Sequence, residues 1–281
     1  MKSKPLYADM KIFAIMLVKN EADVIGYVLK KAEEWADKIF IIDNGSTDGT
    51  WELVQSMKSN IIIPWKQDFG SFRRGMRADV FNNFRSLSTE DDWWCYALDA
   101  DEVYIENPKE FLKKVPKRFQ WVSKKSIDYV ITKEDLEEYN FTGDFSKDKE
   151  HIKYFKTPCW TEGRFFRYRK NIKWNNGIAN QYPENVGIMA KEKILVKHYQ
   201  YRSPQQIQKR IQDRKATKER KDVSAWNKMP ETLESSLFSR CDCILDENNI
   251  KFYQSQKIID NLERNKIKDF IKLVLIKLGI Y

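Results

Sequence analysis

Asp99-Ala100-Asp101 closes an aromatic and apolar run, Trp94-Cys95-Tyr96-Ala97-Leu98. Two carboxylates two residues apart at a strand exit, where the pleat relaxes into a turn, can converge on one hard divalent cation that also holds substrate phosphates. That is an arrangement for handling a diphosphate. Asp43-Asn44-Gly45-Ser46 cuts off a second apolar run, Ile39-Phe40-Ile41-Ile42, and Lys19-Asn20-Glu21 follows a third. Taken singly, each is also ordinary turn and cap chemistry, since Asp, Asn, Gly and Ser all serve turns. Where the elements put them decides between the two.

Residues 11–18 (KIFAIMLV) are too short for a core helix and β-rich enough for a strand covered on both faces. Over 22–35, Val24, Ile25, Val28, Leu29, Ala32 and Trp35 recur at helical spacing and predict one apolar face. A buried strand over 39–42 follows, then a helix carrying Trp51, Leu53, Val54 and Met57 that starts under a Ser/Thr/Asp cap in 47–50. Residues 60–63 predict a third strand, 78–87 a helix and 94–98 a fourth strand. Strand and helix alternating in this way predict an α/β sheet with parallel strands and helices on both faces. Ligands of such sheets bind beyond the carboxyl ends of the strands. All three motifs stand at those ends.

In combination, Asn20-Glu21, Asp43-Asn44-Gly45-Ser46-Thr47-Asp48-Gly49-Thr50 and Leu98-Asp99-Ala100-Asp101-Glu102 resemble glycosyltransferase family 2 and its relatives of the GT-A fold, over residues 12–102. The resemblance implies an α/β, Rossmann-like mixed and mostly parallel sheet flanked by helices, and a hexosyl or related transferase using a nucleotide-sugar donor. It implies that Asp43 and Asn44 sit beside the base and ribose, with Lys19 and Glu21 also on the donor side. Asp99 and Asp101 would face ribose, diphosphate and Mn2+ or Mg2+. Many relatives carry a second Asp where this chain has Asn44, so the base stays open, UDP being favoured through resemblance alone. Residues 65–74 resemble the family's Asp-Phe-x-x-x-Arg-Asn segment, with Arg74 in place of Asn. Arg73 would then approach the nucleotide, its planar guanidinium suiting phosphate; the other reading pairs it with Asp68 or Asp79. His198, ending the run 194–197, matches a late His that completes the metal site in relatives, or is a hydrogen-bonded structural residue.

An inverting transfer needs a carboxylate to deprotonate the acceptor hydroxyl. Relatives with a Gly-x-His-Glu segment place a Glu after an aromatic strand, but here the stretch reads Trp174-Asn175-Asn176-Gly177-Ile178-Ala179-Asn180. Asp101 and Glu102 remain beside the chemistry, and Glu184 or Glu162 is the candidate base; each of the latter two also reads as a surface carboxylate. A retaining or weakened enzyme is the alternative. Trp160, Trp174 and Tyr182 stack on sugar rings or belong to the core.

The chain has 281 residues, 50 Lys+Arg against 41 Asp+Glu (net +9), 42% hydrophobic and 14% aromatic. Disordered and collagen-like classes are excluded by that composition. No run of apolar residues is long enough to span a bilayer, and no secretory leader is visible. Cys95, Cys159, Cys241 and Cys243 are too few and irregular for a disulfide scaffold, so free thiols in the cytoplasm are expected. Residues 139–150 (YNFTGDFSKDKE) look like a mobile surface loop. Beyond 203 the chain is expected to be helical, with Lys209, Arg210, Arg214, Lys215, Lys218, Arg220 and Lys221 crowded together and an amphipathic end over 267–278. This divides the chain into a GT-A domain, 1–202, and a C-terminal helical appendage, 203–281. The end segment either lies on an anionic membrane face, as an enzyme extending surface glycans or lipid-linked glycan precursors would need, or packs on the catalytic domain. A transferase acting on nucleic acid, drawn by the basic stretch, is a lesser reading. A nucleotide-binding relative with little transfer activity is the third.

Overall fold

The computed structural model describes residues 10–177, 181–217, 230–259 and 266–278. Asn180 and the basic residues Lys218, Arg220 and Lys221 lie outside the described residues. The chain gathers into two interleaved units, one within 1–126, 160–196 and 259–281, the other within 127–159 and 197–258.

The first unit opens with β1 (Ile12–Val18), α1 (Ile25–Ala32), β2 (Lys38–Asp43), α2 (Thr50–Ser56), β3 (Ile62–Gln67), α3 (Met76–Phe84) and β4 (Trp93–Cys95). Six of the seven residues of β1 are buried, which is why it reads as an unbroken apolar run rather than an alternating one. Buried Ile25, Val28, Leu29 and Ala32 make one face of α1, while Lys30 and Lys31 in its last turn complement the helix dipole. The helix is shorter than the apolar spacing suggests, because Val24 and Ile25 N–H both donate to Glu21 O and form a turn before it. The expected side-chain cap of α2 is displaced. Gly49, at φ 90°, occupies the cap position without a side chain, and Asp48 Oδ1 accepts from Thr50 N at 3.1 Å instead. β3 begins later and runs longer than 60–63, with Pro64 tolerated because β3 has a strand on one side only.

The strands β3-β2-β1-β4, in that order, pair in parallel with one another. After β5 (Glu102–Tyr104), α4 (Pro108–Lys113) and β6 (Trp121–Val130), the sheet continues with antiparallel pairs: β8 (Cys159–Arg167) lies between β4 and β6. The result is a mixed α/β sheet. Under it lies an aromatic core in which the Trp94 ring is 5.1 Å from both Phe13 and Phe81. Trp174 is 3% exposed in that core, so of its two readings the structure bears out the packing one.

The second unit takes up α5 (Lys133–Glu138), α6 (Phe145–Asp148) and β7 (Tyr154–Phe155), and later α7 (Pro204–Thr217), β10 (Ile244–Leu245) and α8 (Ile250–Ser255). The chain also forms β9 (Met189–His198), β11 (Ile258–Ile259) and α9 (Lys266–Lys277). The stretch 139–150 is not the surface loop its composition suggests. Asp148 is buried and accepts from Tyr139 OH, Thr142 N, Thr142 Oγ1 and Gly143 N at 2.8–3.1 Å, which winds the segment around one carboxylate and buries Phe141 and Phe145. The region beyond 203 is likewise not wholly helical, since β10 and β11 interrupt it. Among the described residues no helix is long and apolar enough to cross a membrane.

Gly163 on β8 is where the sheet is tightest: a Cβ there would come within 2.0 Å of the Trp121 ring, and its carbonyl accepts from Tyr96 OH at 2.5 Å. Gly163→Ala should therefore lower the free energy of unfolding by about 1–3 kcal/mol or more. Urea denaturation measures this, and an unchanged midpoint would show that Trp121 has room to move.

Candidate functional site

Because β1, β2 and β4 are parallel neighbours, their carboxyl ends share one edge of the first unit's sheet, and there Asn20-Glu21, Asp43-Asn44 and Leu98-Asp99 emerge. The turn after β2 is tied to the end of β1. Asn20 N donates to Ser46 Oγ and Thr47 N to Asn20 Oδ1, both at 2.9 Å, and Glu21 N donates to Thr50 Oγ1 at 2.9 Å. Ser46, Asp48 and Thr50 are thus occupied in building the loop, while Lys19 is exposed beside it.

Asp43 is completely buried. Its Oδ1 accepts from Gly45 N at 3.0 Å, Ser46 N at 2.9 Å and Gln67 Nε2 at 3.2 Å. Its Oδ2 has no hydrogen-bond partner among the described residues. A buried carboxylate oxygen left in that state is costly unless something else completes it. Asn44 spends its amide N–H groups on Asp68 O at 2.9 Å and Gly70 O at 3.0 Å, fixing the loop that follows β3. Gly45, at φ 72°, brings its backbone so near that loop that a Cβ would stand 3.3 Å from the Phe69 ring.

Beside Asp99 the structure assembles charges from four elements. Arg164 on β8 has no exposed side-chain surface, and it reaches Asp99 Oδ2 at 3.1 Å, Glu102 Oε2 at 3.3 Å and Glu162 Oε2 at 3.1 Å. Lys124 on β6, equally buried, is bonded to Glu102 and lies 3.7 Å from Glu162. Arg77 on α3 approaches Asp99 Oδ1 at 3.5 Å. Burial alone would raise the Asp99 carboxyl, but the charges of Arg164, Arg77 and Lys124 outweigh it and hold it below the usual carboxylate range. Asp101 is 7% exposed in the same turn.

Arg73 takes the other of its two readings: its guanidinium pairs with Asp79 at 2.6 Å and donates to Asn176 O at 3.2 Å. Arg77, one turn further, stands beside Asp99 together with Arg164. Glu102 is buried under Arg164 and Lys124, and Glu184 is exposed with its carboxylate on Asn175 Nδ2 at 2.6 Å. Glu162, by contrast, belongs to the cluster and also accepts from Gln181 Nε2 at 2.6 Å. His198 belongs to the second unit, where its Nδ1 is 2.8 Å from Asp128 Oδ1. Trp160 carries Lys124 Nζ 4.3 Å over its ring, and Tyr182, 49% exposed, is edge-on to Trp121. Sequence reasoning missed Arg77, Lys124 and Arg164. The one local signal was that Lys124 and Arg164 fall within strand-length stretches, where a charged side chain is buried only when paired.

Among the described residues no group of three or more His, Cys, Asp or Glu side chains is arranged to hold a metal ion. The donor set fits a different kind of site. Asp99 and Asp101 are hard oxygen donors, and a Mg2+-type cation is held by one or two carboxylates with substrate phosphates supplying the rest.

Arg164→Met keeps the bulk of the side chain and removes the charge facing Glu102. Breaking a buried pair in this way costs about 3–5 kcal/mol, and denaturation at neutral pH should show a loss of that size. The Asp99 carboxyl is held low in the folded protein, so its contribution is complete above about pH 4 and disappears as pH falls through the lowered folded value. The gap between wild type and variant should therefore narrow on acidification below about pH 4; a constant gap would show that Arg164 does not act through Asp99.

The family model for glycosyl transferase family 2 matches residues 13–191 of this chain. The glycosyltransferase SunS of Bacillus phage SPbeta, and the prophage-derived glycosyltransferase SunS of Bacillus subtilis strain 168, are each 26% identical over 173 residues, 60% of this chain and 34% of theirs. An uncharacterized glycosyltransferase of Rickettsia bellii is 28% identical over 93 residues, 33% of this chain and 28% of its own. The matched part thus spans about a third of the length of these curated relatives. Since the family model covers more than half of the chain and takes in every element of the site edge, the chain belongs to glycosyl transferase family 2, with an α/β fold of the GT-A type.

Proposed function

We propose that this glycosyltransferase moves a sugar from a nucleoside-diphosphate donor, with UDP as the favoured nucleotide, to a hydroxyl of a surface glycan or its lipid-linked precursor, with inversion, in the cytoplasm at the inner face of a membrane. The observation that supports the donor reading best is Asp43, buried at the shared strand edge with Oδ2 lacking a partner among the described residues. A base N–H brought to Oδ2 would complete it, and Lys19, Glu21 and Asn44 flank the same turn. The acceptor oxygen attacks the anomeric carbon as the carbon–oxygen bond to the diphosphate breaks, and the electron pair leaves with the diphosphate. We assign the acceptor proton to Glu162, the half-buried carboxylate that stands in the Asp99 cluster, rather than to Glu184 at the surface. Arg77 stands where it can meet leaving-group charge. A divalent cation held by Asp99 and Asp101 would supply Lewis-acid stabilisation of the same charge.

Thermal shift with nucleoside diphosphates, with and without Mn2+, tests the donor site. The matching nucleotide at a hundredfold excess over its Kd should stabilise the chain by about 2.7 kcal/mol. Asp43→Asn, which keeps one oxygen and turns the other into a donor, should weaken that nucleotide about tenfold to a hundredfold, and Asp101→Ala should remove the Mn2+ dependence. No shift with any nucleotide on folded protein would overturn the reading. For the base, Glu162→Gln should slow donor turnover about a hundredfold or more with the nucleotide shift intact; unimpaired turnover would move the role to another carboxylate.

A further inference from the structure

α9 offers a surface that the catalytic reading does not use. Phe270 is 67% exposed, Ile271 50%, Val274 40% and Leu278 64%. Their spacing places all four on one side of a helix, and Leu278 N–H donating to Val274 O at 3.1 Å extends the turn to include the last of them. Asp269, Leu273 and Ile276 are half-buried on the other side. A helix that merely packed on its domain would turn its apolar stripe inward. Here the apolar side chains with the greatest exposure face solvent.

The charges beside that stripe indicate what covers it. Exposed Lys268 stands on the row next to Ile271, half-buried Lys272 follows one turn on toward the inner side, and the helical sequence holds four lysines against the single acid Asp269. An apolar strip with a cationic flank is complementary to a surface that is greasy inside and negative outside. A second copy of the same chain fits it poorly, because a two-fold contact through this face would bring like-charged lysine flanks together. No described helix is long and apolar enough to cross a membrane, so the geometry is that of a helix lying in the interface.

We propose that α9 docks this protein onto an anionic lipid bilayer, with Phe270, Ile271, Val274 and Leu278 entering the acyl boundary and Lys268 beside them reaching the headgroup phosphates. The inference rests on the membrane-face part of the proposed function and deepens it; because vesicle binding needs no donor, its failure would remove the membrane location and leave the nucleotide site standing.

The test is flotation of the full chain with vesicles of phosphatidylcholine alone and of phosphatidylcholine mixed with phosphatidylglycerol. Binding should be about tenfold or more stronger on the anionic vesicles and weaken with added salt. Ile271→Asp combined with Val274→Asp should abolish it while the circular dichroism and thermal transition stay unchanged. Should that pair disturb folding, Phe270→Ser at the more exposed position should still weaken binding. Absence of binding to anionic vesicles, equal binding to both kinds, or full binding by folded variants overturns the proposal. So does a dimer in sedimentation velocity that the same variants dissociate without any vesicle binding, which would make the face a contact between copies.

Discussion

A guanidinium with no access to water organises the candidate site: Arg164 touches carboxylates from the loop after β4, from β5 and from its own strand. Taking a charge out of water costs several kcal/mol per ion even after relaxation, so each of these groups is held where it is by the need of the others for a partner. Lys124 completes the buried part, and Arg77 caps the outer carboxylate. Among the described ion pairs of the cluster, Arg77, Lys124 and Arg164 face Asp99, Glu102 and Glu162, so each buried charge meets at least one of opposite sign.

The strand edge was legible in the sequence because its signals are local. Apolar runs of strand length, the Asp43–Ser46 turn and the carboxylates after β4 each declare themselves within a few residues, and parallel pairing then brings their ends together. The charge cluster was not legible, because its members come from α3, β4–β5, β6 and β8, and nothing in a linear pattern says that Lys124 and Glu102 meet. The same physics hid Asp148. Its surroundings are polar in composition, and only the convergence of four donors on one carboxylate turns 139–150 from an apparent surface loop into a packed segment. The tail was misjudged in part for a related reason: β10 is two residues long, too short to leave a period.

Arg73 and Arg77 both lie in the segment that follows β3, and the family resemblance pointed to the first. Asp79, six residues on, supplies Arg73 with a partner at 2.6 Å. Arg77 has no such acid on its own helix face and reaches Asp99 instead. A guanidinium's direction is decided by the acid it can reach, which is a property of the fold rather than of the motif.

Asn44 stands where many relatives carry a second Asp, and the structure supplies a reason for the amide. The side chain at this position faces the carbonyl oxygens of Asp68 and Gly70, both of which need a donor. An amide provides two N–H groups there. A carboxylate would provide none and would set its own negative oxygens against two carbonyls, so an Asp at this position would require a different path for the loop after β3. That loop also carries Phe69, packed where Gly45 leaves space for it. The substitution and the loop path therefore go together. With the Asn44 donors engaged in holding the loop, a buried polar atom at this edge that still lacks a partner among the described residues is Asp43 Oδ2, and the proposed donor reading assigns the base N–H to it.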